Sequence, residues 1–456
     1  MNKNVVYFRV ACPQEILTAK EGTRHWANSL AVYRAGFSPL ERRSIEERLV
    51  RGQLQGVIAT NALELGIDIG GLDVSVHLGW QGSRSSLWQQ AGRTGRRGRK
   101  SLAFFIPFDG VLDSYFVRHP SQLFDPRCIE PTMLSLSNSK IVASHIRAAA
   151  YEHEIDINHE LDMFGGASKA VVDDLIQEGE LTRVNGDKLA YSGAELVPTK
   201  FQLRSIDDKV VSIVERVSLK VLESIEAMKA PFVLYPGAVY SKLGVTYLVE
   251  AVDWSSGIAS VIKSGPLNYY TTVVDCMAVS TKTLLSGHTA QATAAEVAVR
   301  FTAFCRRRRK SGVVIDTIRL HDVPEVRFDT TAMVIALPKR PEKWSAEAVH
   351  CCAHAIIAVL PRFLGVGDAD VGAECNVEYC RYITDRLLLF DRNGSSGLSK
   401  LIASMFADIA EAARDSLAAC GCAEGCPGCC HLPSCNTYNK DISKFGGLEL
   451  LKALIT

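Results

Sequence analysis

The chain has 456 residues, 47% hydrophobic and 22% charged, with a formal net charge of +1. That length suggests about three domains with ordinary buried cores, and the near-zero charge excludes a uniformly basic coat, so any nucleic-acid surface must come from local clustering. No apolar run approaches the roughly 18–20 residues of a membrane span, and the start MNKNVVYFRVACP lacks a secretory h-region, so an intracellular protein is expected.

That start predicts a buried strand. SPLERRSIEERLV (38–50) then offers an N-cap serine, a proline at the first helical position and a glutamate at the third, with Ile45 and Leu49 on one face. GVIAT predicts a buried strand, LDVSVHLG another, SRSSLWQQAGR a serine-capped helix and SLAFFIP a further buried strand. Strands and helices alternating over about 90 residues predict a parallel α/β sheet. After Pro131 the pattern changes. NSKIVASHIRAAAYEHEI and SKAVVDDLIQEGEL predict two helices, the second with Val171, Val172 and Leu175 inward and Asp173 and Asp174 outward. LTRVNGDKLAYSG alternates around Asn185-Gly186, a strong hairpin signal. Two helices and a two-stranded wing outline a winged helix. Residues 231–280 are strand-rich and predict a small β unit, whereas AQATAAEVAVRFTAF (290–304) fits either a helix or a strand. SAEAVHCCAHAIIAVLPRFL predicts an apolar helix ended by a proline. GLSKLIASMFADIAEAARDSLAAC predicts one more helix, running into a cysteine cluster.

Two stretches carry chemistry. In VIATNALELGIDIGGLD (57–73) a strand delivers Thr60, and a tight loop follows with Glu64, Gly66 and Asp68. A small hydroxyl and exposed N–H groups after a strand can hold a nucleic-acid phosphate, and an aspartate can accept from a ribose hydroxyl. An ordinary strand and loop is the plainer account of this stretch alone. In WQQAGRTGRRGR (88–99), Gln89, Arg93 and Arg96 lie on or beside a helix. Six basic residues and no acid fall between Ser83 and Lys100. Arginine forks of this kind stabilise γ-phosphate charge; a solvated basic patch is the alternative.

Together the two are more specific. T-N-x-x-E-x-G-x-D followed about twenty residues later by Q-x-x-G-R-x-G-R resembles the fifth and sixth motifs of superfamily 2 helicases. With NSKIVASHIRAAAYE, YPGAVY and the terminal cysteines, the chain resembles the MrfA/YprA-type DNA helicases, a group that includes RecQ-like fungal and plant relatives. The resemblance runs from about Tyr33 to the C-terminus, and residues 10–32 do not share it. It implies an α/β RecA-like second helicase lobe (1–125), a winged helix (126–210), a β-rich linking domain (211–330) and an α+β zinc-binding C-terminal domain (331–456). It also implies roles for the motif residues other than Glu64. Thr60 would touch the DNA backbone, Gly66 and Asp68 would border the nucleotide, and Gln89, Arg93 and Arg96 would reach it, the arginines at its γ-phosphate. The implied activity is ATP- and Mg²⁺-dependent 3′–5′ unwinding of DNA with a single-stranded portion or a 3′ tail, in repair. The implied location is the nucleus in a eukaryote or the cytoplasm in a bacterium.

The chain departs from that family in one respect. It has no G-x-x-x-x-G-K-[ST] to cradle phosphates and no D-E-x-H or D-E-x-D to hold Mg²⁺. The rest of the nucleotide site is therefore expected on a first RecA-like lobe that these residues do not include. This polypeptide alone is expected to bind nucleic acid without hydrolysing ATP. It reads either as the C-terminal portion of an active helicase or as a non-catalytic DNA-binding or regulatory protein that retains one lobe. The ill-fitting residues 10–32 favour an incomplete chain.

Six of the fourteen cysteines fall in CGCAEGCPGCCHLPSC (420–435). In a long chain without secretory features, one dense cluster points to metal rather than disulfides. Cys426 and Cys429 form a C-x-x-C knuckle, with Cys422 before and Cys435 after it. Four thiolates suit a closed tetrahedral zinc site, and the family carries one. Cys422, Cys426, Cys429 and Cys435 are the expected ligands. Cys420 is the alternative to Cys422, Cys430 and His431 are weaker alternatives, and an iron–sulfur cluster suits the same spacing. His350 and His354 stand four apart on an otherwise apolar helix, where core packing is the expectation and a ligand pair the alternative. RRRRK (306–310) reads equally as a phosphate contact or a solvated turn. Tyr269, Tyr270 and Trp254 read as packing of the β unit rather than base stacking.

Overall fold

A computed structural model of the chain describes residues 4–7, 29–33, 37, 39–64, 72–95, 98, 100–125, 127, 129–130, 136, 138–194, 196–200, 209–242, 245–281, 289–309, 311–339, 343–367, 370–374, 385–392, 394, 396–435 and 437–455. The chain forms two compact units, each discontinuous in sequence. Unit 1 comprises Met1–Thr132, His350–Asp368 and Ala407–Thr456, and unit 2 comprises Met133–Val349 and Ala369–Phe406. Among the described residues no helix is long and apolar enough to cross a membrane.

Unit 1 is built on five parallel strands, β1 (Asn4–Tyr7), β2 (Leu30–Tyr33), β3 (Gly56–Ala59), β4 (Val74–Leu78) and β5 (Leu102–Ile106), in the order β2-β3-β1-β4-β5. Parallel neighbours need crossovers, and helices Pro39–Val50 and Arg84–Ala91 supply two of them. All four residues of β3 are buried. Leu49 and Ile45 pack from the first helix onto Tyr33, Leu54 and Val57, as their spacing predicts. Ser83 caps the second helix, accepting from the Ser86 N–H at 2.9 Å. The opening strand occupies the middle of the sheet, between β3 and β4.

The strand SLAFFIP departs from expectation. It forms β5, yet Leu102, Phe104 and Ile106 are 59%, 49% and 46% exposed. β5 is the edge strand, with one face left open. A short apolar run reads the same whether one face or both are covered, so the pattern could not reveal this.

In unit 2, helices Ser139–Glu152 and Ser168–Gln177 pack beside a small antiparallel sheet. Its strands are β6 (Ile155–Asp156), β7 (Leu181–Val184) and β8 (Lys188–Tyr191), in the order β6-β8-β7. Val171, Val172 and Leu175 are buried with Val142, Ile146 and Leu189. Asn185 and Gly186 turn the β7–β8 hairpin with left-handed φ of 51° and 83°, in a three-residue connection between the paired Val184 and Lys188.

Two larger sheets follow. The first joins β9 (Val210–Glu215), β10 (Val221–Glu226), β11 (Val239–Lys242), β12 (Val245–Asp253) and β13 (Ile258–Ser264), in the order β10-β9-β13-β12-β11. Trp254 packs on its core. The second carries β14 (Tyr269–Thr281), β15 (Gln291–Arg308), β17 (Val326–Ala336), β19 (Arg386–Asp391) and β18 (Val371–Ala373) in that order, and β16 (Val314–Arg319) pairs with β15. The undecided segment 290–304 is thus strand. Ala295, Val297, Val299 and Phe301 alternate inward from β15 onto Met277, Val279, Val334 and Phe390. The single helix expected over 397–420 is two, Leu398–Ser404 and Phe406–Ala419, broken at Met405.

Candidate functional site

Thr60 follows β3 in an extended conformation and caps a single 3₁₀ turn, Asn61–Leu63. Its side chain makes no cap bond, which leaves the hydroxyl for another partner. Glu64 ties this loop to helix Arg84–Ala91. Its Oε2 accepts from Ser86 Oγ at 2.5 Å and from Gln90 Nε2 at 3.2 Å, and its backbone carbonyl accepts from Arg93. Behind it runs a buried polar chain. His77 Nδ1 lies 3.3 Å from Gln90 Oε1, which can only accept, so Nδ1 carries the proton. His77 Nε2 then accepts from Ser75 Oγ at 3.0 Å. Burial lowers the His77 pKa, with the Gln90 bond opposing, which keeps the ring neutral.

This chain assigns Glu64, whose part the sequence left open. It is the strut that holds the 3₁₀ turn to the arginine-bearing helix and orients Arg93. Gln90, His77 and Ser75 were missed by sequence reading, because a buried polar trio on a strand and a helix has no sequence signature. Gln89 sits on the exposed face, within 3.3 Å of Ser85 Oγ. Gly95 adopts φ 67° and its N–H bonds to the Leu72 carbonyl at 3.1 Å, folding the loop after the helix against the sheet. Gly66, Asp68 and Arg96 lie outside the described residues.

The same helix has a buried N-terminus. Glu130 accepts from the Arg84 N–H at 2.7 Å and the Ser85 N–H at 3.3 Å, and pairs with the Arg84 guanidinium at 3.5 Å. Arg84 Nη2 also donates to the Arg362 carbonyl at 3.3 Å. The guanidinium faces Phe116 at 5.3 Å, and Arg362 faces Tyr115 at 3.8 Å. A negative group at a helix N-terminus meets its free N–H groups and its dipole at once.

The cysteine loop builds a second centre at the end of helix Phe406–Ala419. Cys420 Sγ lies 3.5 Å from both Cys422 Sγ and Cys426 Sγ. Cys422 and Cys426 lie 3.6 and 3.9 Å from Cys429. Zinc at about 2.3 Å from each sulfur spaces tetrahedral thiolates by about 3.8 Å, so this donor set fits the ion. Burial, then Cys420 and Cys422, push the Cys426 thiol up to about 12; Cys430 and burial raise Cys429. Free thiols here hold their protons, and a bound cation reverses that by stabilising thiolates. Lys444 Nζ donates to the Cys420 and Cys422 carbonyls, each at 2.6 Å, and folds that turn over the knuckle.

Cys422, Cys426 and Cys429 are thus together as expected, but Cys435 is not with them; Cys420 completes the four. Cys420 was expected only as an alternative to Cys422; the structure brings both together with Cys426 and Cys429. Cys435 faces His350 and His354 instead. Of the basic run, Arg306 pairs with Asp316, Arg307 bonds Thr272 and the Gly312 carbonyl, and Arg309 bonds the Leu267 carbonyl. Those contacts anchor the C-terminal end of β15; Lys310 lies outside the described residues.

A five-stranded parallel lobe whose loop 60–64 is tied through Glu64 to Arg93 lies in one unit with a four-thiol centre, the arrangement expected of the C-terminal part of a helicase. Residues 10–98 match the model of the helicase conserved C-terminal domain, and residues 352–430 match that of the MrfA Zn-binding domain. The first match corrects the expectation for residues 10–32, which fall within the helicase lobe. The chain is 30% identical to the uncharacterized ATP-dependent helicase YprA of Bacillus subtilis, over 91% of this chain and 56% of that protein. It is 29% identical to the ATP-dependent helicase hrq1 of Schizosaccharomyces pombe, over 97% of this chain and 44% of that one. The crystal structure of the DUF1998 helicase MrfA bound to DNA superposes with a TM-score of 0.63 at 28% identity, covering 99% of this chain and 62% of that one. The same helicase bound to DNA and AMPPNP gives 0.58 at 28% identity. In sequence and fold the chain corresponds to the C-terminal half of the MrfA/YprA-type helicases. It spans about half the length of the curated relatives it matches.

Proposed function

We propose that these residues are the C-terminal portion of an ATP-dependent 3′–5′ DNA helicase acting in DNA repair. The observation that carries this is the joining of loop 60–64 to Arg93 through Glu64, in a lobe that also bears the four-thiol centre. In this reading Thr60 contacts the DNA backbone. Gly66, Asp68 and Gln89 border the nucleotide, and Arg93 and Arg96 reach its γ-phosphate when a first lobe supplies the Walker lysine and the Mg²⁺ carboxylates. Helices Ser139–Glu152 and Ser168–Gln177 with the β7–β8 hairpin act as a winged helix against DNA, within the four-part division at 125, 210 and 330. Cys420, Cys422, Cys426 and Cys429 hold a structural zinc, which fixes the loop at the end of helix Phe406–Ala419. The protein works in the nucleus of a eukaryote or the cytoplasm of a bacterium.

A second reading takes these residues as a non-catalytic DNA-binding or regulatory protein that retains a helicase lobe and a zinc domain. A protein of this composition would bind DNA as a regulatory module without turning over ATP. One pair of measurements separates the readings. Anisotropy with labelled duplex, single-stranded and 3′-tailed DNA is expected to show salt-sensitive binding favouring the single-stranded and tailed forms. ATPase activity is expected only when a first RecA-like lobe is added. DNA binding without any gain in hydrolysis on that addition would leave the regulatory reading standing, and no binding at all would sink both.

A further inference from the structure

His350 and His354 lie one turn apart on helix Ala346–Val359, each only 3% exposed. His350 Nδ1 is 3.1 Å from the Asp441 carbonyl, and His354 Nδ1 is 3.0 Å from the Cys430 carbonyl. A carbonyl oxygen only accepts, so both rings carry their proton on Nδ1. Both Nε2 atoms therefore present lone pairs. They point at one another across 3.1 Å, with Cys435 Sγ 3.5 Å from the His350 nitrogen. Packing apolar surface does not require two imidazole acceptors to converge with a thiol. A cation among them satisfies all three donors at once.

The dimensions fit. Zinc at about 2.0–2.1 Å from nitrogen and 2.3 Å from sulfur sets tetrahedral N···N and N···S separations of about 3.3 and 3.5 Å. The outer contacts also fit, because metal-ligating histidines commonly donate their other ring N–H to a carbonyl. The Asn439 N–H donates to Cys435 Sγ at 3.2 Å. The loop that brings these groups in holds Tyr438, Asn439 and Asp441 at φ of 57°, 59° and 54°, three left-handed non-glycine residues within four positions. Such backbone persists where its surroundings over-determine it, and it clusters at ligand sites. The Asn439 side chain braces the loop through both the N–H and the carbonyl of Leu432, at 2.8 and 3.0 Å.

We infer that His350, His354 and Cys435 form a second zinc site, separate from the four-thiol centre. It would pin the loop after the cysteine knuckle to helix Ala346–Val359 within unit 1. This inference goes beyond the helicase reading and does not depend on it.

The test is the zinc content of the full chain, purified without chelator and measured by plasma mass spectrometry, with cobalt titration as a second readout. The expected result is two zinc ions per chain and two cobalt equivalents with distinct charge-transfer bands. Cys435→Ser and His354→Gln should each lose one ion and keep the tetrathiolate band. Cys426→Ser should lose the other ion. A single zinc that survives Cys435→Ser but not Cys426→Ser would overturn the second site and leave the four-thiol centre intact. Two ions retained in a Cys435→Ser/His354→Gln double variant would also overturn it. One zinc with the opposite pattern would support this site and refute the four-thiol assignment. If the variants do not fold, the wild-type cobalt endpoint still decides, since one equivalent with only tetrathiolate character overturns the site.

Discussion

Glu130 and Arg84 are among the few charged side chains that unit 1 buries, at 4% and 6% exposure. The carboxylate is satisfied twice over, by the guanidinium and by two N–H groups of the helix start. Removing one member of such a pair leaves a buried charge without its counterion, which costs more than the pair itself contributes. Glu130→Ala is expected to lower the unfolding free energy by about 3–5 kcal/mol, read from urea denaturation. A double Arg84→Met/Glu130→Leu variant should recover much of that loss. A cost below about 1 kcal/mol for the single variant would show that the pair is solvated in solution. Neither residue belongs to a recognisable motif, and they stand 46 positions apart. The motif residues were legible because phosphate chemistry demands particular side chains at short spacing. Their support was not, because Glu64, Gln90, His77 and Ser75 meet only once strand and helix have packed.

At the scale of elements, one carboxylate organises the approach to helix Leu398–Ser404. Asp391 is fully buried, and its carboxylate accepts from Ser396 Oγ, from the N–H groups of Gly397 and Ser399, and from Ser399 Oγ, at 2.5–2.9 Å. Ser399 Oγ also lies 2.9 Å from the Thr331 carbonyl. The last residue of β19 thus caps helix Leu398–Ser404 across a tight loop, while Gly397 adopts φ 87° at the cap position. Asp391→Ala should destabilise unit 2 by about 2 kcal/mol, because buried donors lose an ionised acceptor. Hydrogen exchange should accelerate first over 396–404; unchanged exchange there would count against the cap. Elements with clear periodicity were legible in advance, as Val171, Val172 and Leu175 show. The Ala-rich β15 was not, since alanine suits either period and only pairing with β14 and β17 selects the strand. Strands β9, β10, β16 and β17 also gave no clear signal of their own.

For the whole molecule, metal removal is the informative perturbation. Structural zinc contributes about 10–16 kcal/mol of apparent binding free energy in small domains, and that energy is folding energy. Chelation is expected to raise hydrogen exchange and protease sensitivity in His350–Asp368 and Ala407–Thr456, the segments of unit 1 that carry the cysteines and histidines. Residues 369–406 belong to unit 2 and should keep their protection. Uniform protection after chelation would mean that no metal supports the C-terminal segments. Loosening that spread equally through 369–406 would mean that the two units do not unfold independently.

Local patterns alone determined a good deal here. The capped helices, the Asn185-Gly186 turn, the two helicase-like motifs and the cysteine knuckle were all readable, because each depends on residues within a few positions of one another. Tertiary structure decided what depends on distant partners. It placed the opening strand at the centre of the parallel sheet, left β5 as an open edge, and turned 290–304 into a strand. It also chose Cys420 over Cys435 for the four-thiol centre and brought Cys435 to two histidines some 80 positions earlier. The reason is physical. Spacing constrains which side chains are available to one another, whereas a clamp such as Lys444, or a loop held left-handed at residues 438–441, determines which of them meet.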